Sequence, residues 1–382
     1  MKISNKDVIE ALTKLDSNGY KSFLVGGAVR NMVIGEEIYD YDITTNAKPK
    51  EIKALFSKHK QYTVGEKHGT VCVFLGKTKI DITTFRKEDK YIDNRHPIKV
   101  KFTDELEDDL VRRDFTINSL CLDKNNKLID KFDGINDINN KLVKAIGEPK
   151  ERFEEDSLRI LRAIRFQCKY DFKVERKTEK AMFETAHLLK NISKDRIKHE
   201  LLEIFKGKTK QYTINRYLDI FNVFIPFKKV DKKIDKLTDP YFVLAYALSK
   251  TEGYKLKELK FSKKEIDYIN DLLKATKIKI DNKYQVIKSL STPNKKNVLK
   301  YLNELYDKKA DEIYKSNTHA AIELKDLKIS GYEIIQLGFT GPDIKKVQNK
   351  LLDVIFKNKL KNNKKDLIAY LKKNKSKILN HK

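Results

Sequence analysis

The chain has 382 residues, with 81 Lys and Arg against 55 Asp and Glu, a formal charge of +26. That excludes an ordinary enzyme of small neutral metabolites and points to a polyanionic partner. Hydrophobic residues make up 40%, enough to argue against disorder, and at ~150 residues per domain the length predicts two or three domains. Cys72, Cys121 and Cys168 stand far apart with no CxxC or Cys/His spacing, which excludes a disulfide framework and a zinc ribbon and fits a reducing compartment. The longest apolar stretch, Tyr241 to Leu248, falls short of the ~18 residues of a membrane span. Asp7, Glu10 and Asp16 precede the first Arg and argue against a transit peptide. The expectation is a cytoplasmic protein with no membrane partner.

In chain order, Ser22 to Val25 reads as a strand entering Gly26-Gly27, and a helix is expected from Ala28 onward. Tyr39 to Thr44 is a second strand. Val71 to Leu75 and Thr78 to Thr83 alternate around Gly76-Lys77, the pattern of a two-residue hairpin. From Glu151 the apolar residues recur at helical spacing through Phe205, and again through the 240s, 260s, 290s and 350s. The fold class is therefore α+β, an N-terminal α/β head of about 145 residues followed by an all-helical remainder. Lys361 to Lys382 carries eight Lys against one Asp. A solvated helix and an RNA contact are equally open readings there.

Of the 81 cations only 12 are Arg, and none follows Arg216. A chain that uses Lys wherever it can keeps Arg where a rigid, permanently charged fork is needed, so the Arg positions mark candidate chemistry. Asp40 and Asp42 flank Tyr41, and alternation along a strand puts both carboxylates on one face, where they could share Mg²⁺ completed by water and substrate phosphates. Asp81, between Ile80 and Ile82, could reach the same metals if its strand is a neighbour. Gly26-Gly27, opening a helix after a strand, offers backbone N–H groups to phosphate oxygens, and Arg30 adds a charge one turn later. A phosphate loop beside metal carboxylates implies phosphoryl or nucleotidyl transfer by two metals. Neither Walker A nor GxGxxG occurs, which argues against a P-loop ATPase or a dinucleotide oxidoreductase.

Leu24-Val-Gly-Gly-Ala-Val-Arg30 followed by Asp40-Tyr-Asp42 resembles the signature of the class II tRNA nucleotidyltransferases, the CCA-adding enzymes and their poly(A) polymerase relatives. Further blocks follow in that family's order. Arg112-Arg-Asp-Phe-Thr-Ile-Asn118 is similar to its ribose-sensing motif, and Asp130-Lys-Phe-Asp-Gly134 with Asp137 to its hinge motif. Glu155-Asp-Ser-Leu-Arg159 matches the nucleotide-selecting EDxxR, and Ile192 to Ile197 with Glu200 resembles the helix motif that supports it. Asn31 stands where the family usually has Asp, and Ser119 where Ala is common. The resemblance implies a nucleotidyltransferase head (1–145), a helical neck (146–205), a helical body (206–325) and a basic tail that binds tRNA (326–382). It places Gly27, Arg30, Arg113, Asp156, Arg159, Arg162 and Arg165 around the nucleotide, with Asp40 and Asp42 as the catalytic metal ligands.

The implied reaction adds C, C and A to the 3′ end of tRNA from CTP and ATP with Mg²⁺. If Asp156 and Arg159 sit one helical turn apart, at i and i+3, they offer an acceptor beside a donor fork. Cytosine and adenine both present an amino donor beside a ring-nitrogen acceptor, whereas guanine and uracil present the reverse, so such a pair would accept only C and A. Arg162 continues that row, while Arg165 has turned about half way round a continuous helix. A poly(A) polymerase shares every motif. Gly65 to Phe74, and Arg86 to Thr103 with Tyr91-Ile-Asp-Asn-Arg95, resemble segments of the full CCA-adding enzymes, the latter their flexible loop. Enzymes adding only CC or only A stay open, as does the choice of monomer or homodimer. A non-catalytic RNA scaffold is disfavoured, since binding alone has no need of metal ligands.

Overall fold

The computed structural model describes residues 1–88, 91–92, 96–97, 100–316, 324–356 and 359–379. Residues 93–95 of the Tyr91–Arg95 run and the last three residues of the basic tail lie outside them. The chain divides into two compact units, one of Met1–Lys229 with Gly253–Lys260 and the other of Val230–Glu252 with Phe261–Lys382.

The first unit is built on a mixed sheet. Helix α1 (Lys6–Ser17) starts where the Asn5 side chain accepts the backbone N–H groups of Asp7 and Val8, satisfying donors that a helix start leaves orphaned. It buries Val8, Ala11, Leu12 and Leu15, a helical stripe. Strand β1 (Ser22–Val25) leads into α2 (Gly27–Ile34), and β2 (Tyr41–Thr45) into α3 (Pro49–Leu55). Strands β3 (Lys60–Tyr62), β4 (Thr70–Leu75) and β5 (Thr78–Thr84) complete one side, with Gly76 of the β4–β5 turn at a φ of 54°. Short strands β6 (Arg86–Glu88), β7 (Tyr91–Ile92), β8 (His96–Pro97) and β9 (Val100–Phe102) pair as β6–β9 and β7–β8. Helix α4 (Leu106–Val111), β10 (Cys121–Leu122) and β11 (Leu128–Ile129) follow, and the sheet order is β11-β10-β1-β2-β5-β4-β3.

Register gives the two faces different jobs. Leu24, Ile43, Ile82 and Val71 are successive partners across β1, β2, β5 and β4 and are all fully buried on the face that α1 and α3 cover. The adjacent row is Cys121, Val25, Asp42, Asp81, Cys72 and Tyr62. Because side chains alternate, this row faces the other way. Leu106 and Leu110 of α4 pack over its Val25–Cys121 end, and the carboxylates begin where that cover stops.

Beyond the sheet, α5 (Gly134–Asn139), α6 (Pro149–Glu155), α7 (Leu158–Tyr170), α8 (Arg176–Thr185) and α9 (Lys194–Ile204) carry the chain. Pro149 at the first turn suits α6, where the missing N–H costs nothing. Helix α7 buries Leu158, Ile160, Leu161, Ile164 and Cys168 and packs on α9.

The second unit is helical. Pro240–Leu248, whose residues from Phe242 onward are all buried, packs on Lys263–Thr276. The latter is opened by a reciprocal cap between Ser262 and Glu265. Its last helices, Gly341–Phe356 and Lys364–Leu379, share a core with Leu351, Leu367 and Leu371 fully buried. None of the described helices is long and apolar enough to cross a membrane.

Candidate active site

A cleft of about 690 Å³ opens in the first unit, and Gly27, Arg30, Asp40, Asp42, Arg113, Asp156, Arg159, Arg162 and Arg165 all line it. The sites expected from sequence therefore come together, although they come from α2, β2 and the residue before it, the segment after α4, and α7 with the break before it.

One wall is the β1–α2 turn. Gly26 sits at φ 71°, ψ −129°, a region essentially closed to residues with a Cβ. It lets the chain turn from strand to helix within one residue. Arg30, one turn on, is buried and held in place by part of its donor set. Its guanidinium donates to Asn31 Oδ1 at 2.9 Å through Nη2 and to Asn118 Oδ1, and lies 5.0 Å from the Phe166 ring and 5.1 Å from Tyr170. Burial lowers its pKa, partly offset by Tyr170 and Asp114. Asn31 is itself held, donating to the Glu37 carbonyl at 2.8 Å and accepting from the Tyr170 hydroxyl at 3.2 Å.

The floor is the carboxylate pair. Asp42 lies in β2 between Val25 and Asp81, and Asp40 one residue ahead of the strand. Asp42 reaches solvent through the open cleft but is recessed among protein atoms. That desolvation, reinforced by Asp81 and Asp40 and opposed by Arg113, pushes its pKa up. Among the described residues no hydrogen bond or ion pair occupies either carboxylate. Asp81 is a register neighbour of Asp42, but its Oδ2 is engaged by Lys79 at 2.8 Å. No group of three or more His, Cys, Asp or Glu side chains among the described residues is placed to hold a metal. The pair, with no hydrogen bond or ion pair to a protein cation among the described residues, fits a hard divalent ion that takes one or two carboxylates and completes its shell with water and phosphate.

The third wall departs from expectation. Asp156 and Arg159 do not share a helix. Helix α6 ends at Glu155, and Asp156 is extended, at φ −138°, ψ 96°. Its Oδ1 accepts the Leu158 N–H at 3.2 Å, so the aspartate caps α7 rather than continuing α6. Its Oδ2 takes Arg196 at 3.1 Å. Arg159 donates instead to Glu155 at 3.0 Å, to the Arg152 carbonyl at 3.1 Å and to the Arg112 carbonyl at 2.9 Å. The two are thus neighbours in one cleft, each oriented by separate partners. Because Asp156 is off the helix, the half turn expected between it and Arg165 no longer applies. Arg165 lines the same cleft, 3.3 Å from buried Glu200 and over the Phe166 ring.

Two family models match the chain, one described as the poly A polymerase head domain over residues 22–144 and one as a probable RNA and SrmB binding site of polymerase A over residues 171–227. The chain is 32% identical to a CCA-adding enzyme of Staphylococcus haemolyticus over 388 residues, covering 95% of this chain and 96% of that one. The chain belongs to the CCA-adding enzyme family. A second member, from Ligilactobacillus salivarius, is 44% identical over 214 residues, which span 56% of this chain and 52% of the relative. The crystal structure of a Bacillus stearothermophilus CCA-adding enzyme in complex with CTP superimposes with a TM-score of 0.77 at 25% identity, covering 100% of both chains.

In this family member, Asp114 is the residue that sequence reasoning passed over. Buried, it receives Arg162 Nε at 2.7 Å and Nη2 at 2.6 Å, the Asn118 amide at 2.8 Å and the Phe115 N–H at 2.9 Å. Those partners, Arg162 foremost, hold its pKa down to about 2 against burial. Through Asn118 and Arg30 it joins α7 to the glycine turn. Its place inside Arg112–Asn118 was the available signal. Phe166, Lys169, Glu203 and Lys206 also line the cleft and stand outside the motif positions assigned to the nucleotide.

Proposed function

We propose that this cleft adds C, C and A in turn to the 3′ end of tRNA, from CTP and ATP with Mg²⁺, in the cytoplasm. The observation that carries this reading is the convergence of an unpaired carboxylate pair, a glycine turn and a row of arginines in a single cleft.

The N–H groups after Gly26 and the guanidinium groups of Arg30, Arg113, Arg162 and Arg165 supply donors and positive charge to a triphosphate. Arg30 and Arg162 are held by Asn31, Asn118 and Asp114, so they meet phosphate with little reorganisation. Mg²⁺ held by Asp40 and Asp42 would activate the terminal 3′ hydroxyl and neutralise the departing pyrophosphate. Asp42, its pKa raised, must be ionised to serve, and Arg113 favours that form.

For the base, Asp156 is the acceptor and Arg159 the donor. Each Asp156 oxygen that already receives one donor keeps a further lone pair for an exocyclic amino group. Arg196 and Glu155 hold the two arms in place, so selection rests on two independently positioned side chains rather than on one helical pair. The head of 1–145 and the neck of 146–205 carry the chemistry, and the Lys-rich helices beyond hold tRNA by phosphates and shape.

Purified protein incubated with tRNA ending before CCA, with each nucleoside triphosphate singly and in pairs, tests the reading. CTP alone should add two residues, ATP should add one only after them, and UTP and GTP should add none. Runs of A from ATP alone would indicate a poly(A) polymerase instead. Addition of C without A, or of A only to CC-ended tRNA, would indicate a partial enzyme.

A further inference from the structure

The sheet face that bears Asp42 continues past the metal pair. Its row runs from Asp42 through Asp81 and Cys72 to Tyr62 at the edge strand, three strand spacings or roughly 14 Å. Here the face is open. Thr70, Cys72 and Phe74 on β4 and Asp81 on β5 are only half-buried, alternating with fully buried Val71, Val73 and Ile82. A cavity of about 400 Å³ lies on it, walled by Tyr62, Val64, Phe74, Cys72, Lys79 and Asp81. Tyr62 is 47% and Val64 95% exposed. Tyr62 meets Phe74 edge-on at 5.6 Å, and Lys60 Nζ lies 5.1 Å from the Tyr62 ring and 5.7 Å from Phe74.

An exposed aromatic ring flanked by lysines, here Tyr62 backed by half-buried Phe74, is a surface on which single-stranded nucleic acid binds, a base on the ring and phosphates on the cations. Position selects the strand. The glycine turn and the arginines lie on the β1–α2 side of Asp42, whereas this groove lies on the β5–β4–β3 side. In an in-line displacement the attacking hydroxyl enters opposite the leaving group. If the triphosphate occupies the arginine side, the attacking strand comes from the other.

We propose that this groove seats the last unpaired nucleotides of the RNA being extended, with Tyr62 stacking on a base and Lys60 and Lys79 meeting its phosphates. This rests on the functional reading above and names the path of its second substrate. Tyr62 is a positioning residue: it holds the strand so that the 3′ hydroxyl reaches the carboxylates.

The test uses the full chain and a tRNA ending before CCA that carries 2-aminopurine as its last nucleotide, with an unlabelled tRNA for kinetics. Binding to the wild type should quench the fluorescence, Tyr62→Ala should abolish the quench, and Tyr62→Phe should keep it. For Tyr62→Ala, kcat/KM for tRNA should fall roughly five- to a hundredfold, the range of one base–aromatic stack, with KM for CTP unchanged. Lys60→Gln should lower the salt slope of tRNA binding by about one. An unchanged quench and unchanged tRNA kinetics in Tyr62→Ala would overturn the proposal, as would a CTP KM that rises in step with that for tRNA. A wild type that incorporates no nucleotide would overturn the functional reading, while the quench would still decide the groove.

Discussion

Replacing Asp114 by Asn removes one charge from the centre of the network that joins α7 to the glycine turn. The carboxylate is buried and takes four donor contacts, two from Arg162. Its pKa of about 2 in the fold against ~3.9 for an unperturbed Asp corresponds to about 2–3 kcal/mol of stability by linkage. Breaking a buried pair costs ~3–5 kcal/mol, but the Arg162 side chain is 33% exposed and recovers part of that by hydration, so the two routes agree. The sign follows from the depressed pKa. The contribution is complete above pH ~4, where the unfolded carboxylate is also ionised, and is lost as the pH falls from ~4 to ~2. Urea unfolding of wild type and Asp114→Asn should therefore differ by about 2–3 kcal/mol at pH 7 and converge as pH approaches 2. At pH 7 the variant should also show a raised KM for CTP and ATP, because Arg162 loses its anchor. A stability difference independent of pH, or one below ~0.5 kcal/mol, would refute the linkage argument.

Asp42→Asn should abolish incorporation of both CTP and ATP yet raise the melting temperature, since the recessed carboxylate's raised pKa marks a charge the fold disfavours. Gly26→Ala should cost ~1–3 kcal/mol in chemical denaturation, because φ 71° with ψ −129° strains any Cβ, which would also meet Arg113 Nη1 at 3.4 Å. Affinity for tRNA should fall steeply between low and physiological salt, and deletion of residues 361–382 should flatten that slope in filter-binding titrations. An unchanged slope would make the tail a solvated end.

The head was the most legible part of the chain. Gly26-Gly27 after the apolar run Phe23-Leu24-Val25 marked the strand-to-helix turn, and Asp42 and Asp81 proved to be register partners on adjacent strands, as alternation allows. The break at Asp156 was illegible for a physical reason. Apolar residues keep helical spacing on both sides, no Pro or Gly interrupts them, and the stop is made by the aspartate's own side chain capping Leu158. An interior helical Asp and a capping Asp look alike in sequence. Asp114 was missed because its partner Arg162 is 48 residues away, a pairing that only the packing of α7 against the head creates. The open face carrying Tyr62 was equally hidden, since its chemistry exists only once three strands are in register.

The central claim is that side chains, not a nucleic-acid template, choose the nucleotide in this cleft. The direct measurement is kcat/KM for CTP, ATP, UTP and GTP on unextended and CC-ended tRNA, for wild type and Asp156→Ala, alongside thermal stability. With the acceptor gone, CTP and ATP should lose a partner while UTP and GTP no longer meet a repelling oxygen. Discrimination should therefore fall roughly ten- to a hundredfold, the ~1–3 kcal/mol of one base-edge contact. Uniform loss for all four nucleotides with a lowered melting temperature would contradict the claim and reduce Asp156 to a cap for α7 held by Arg196.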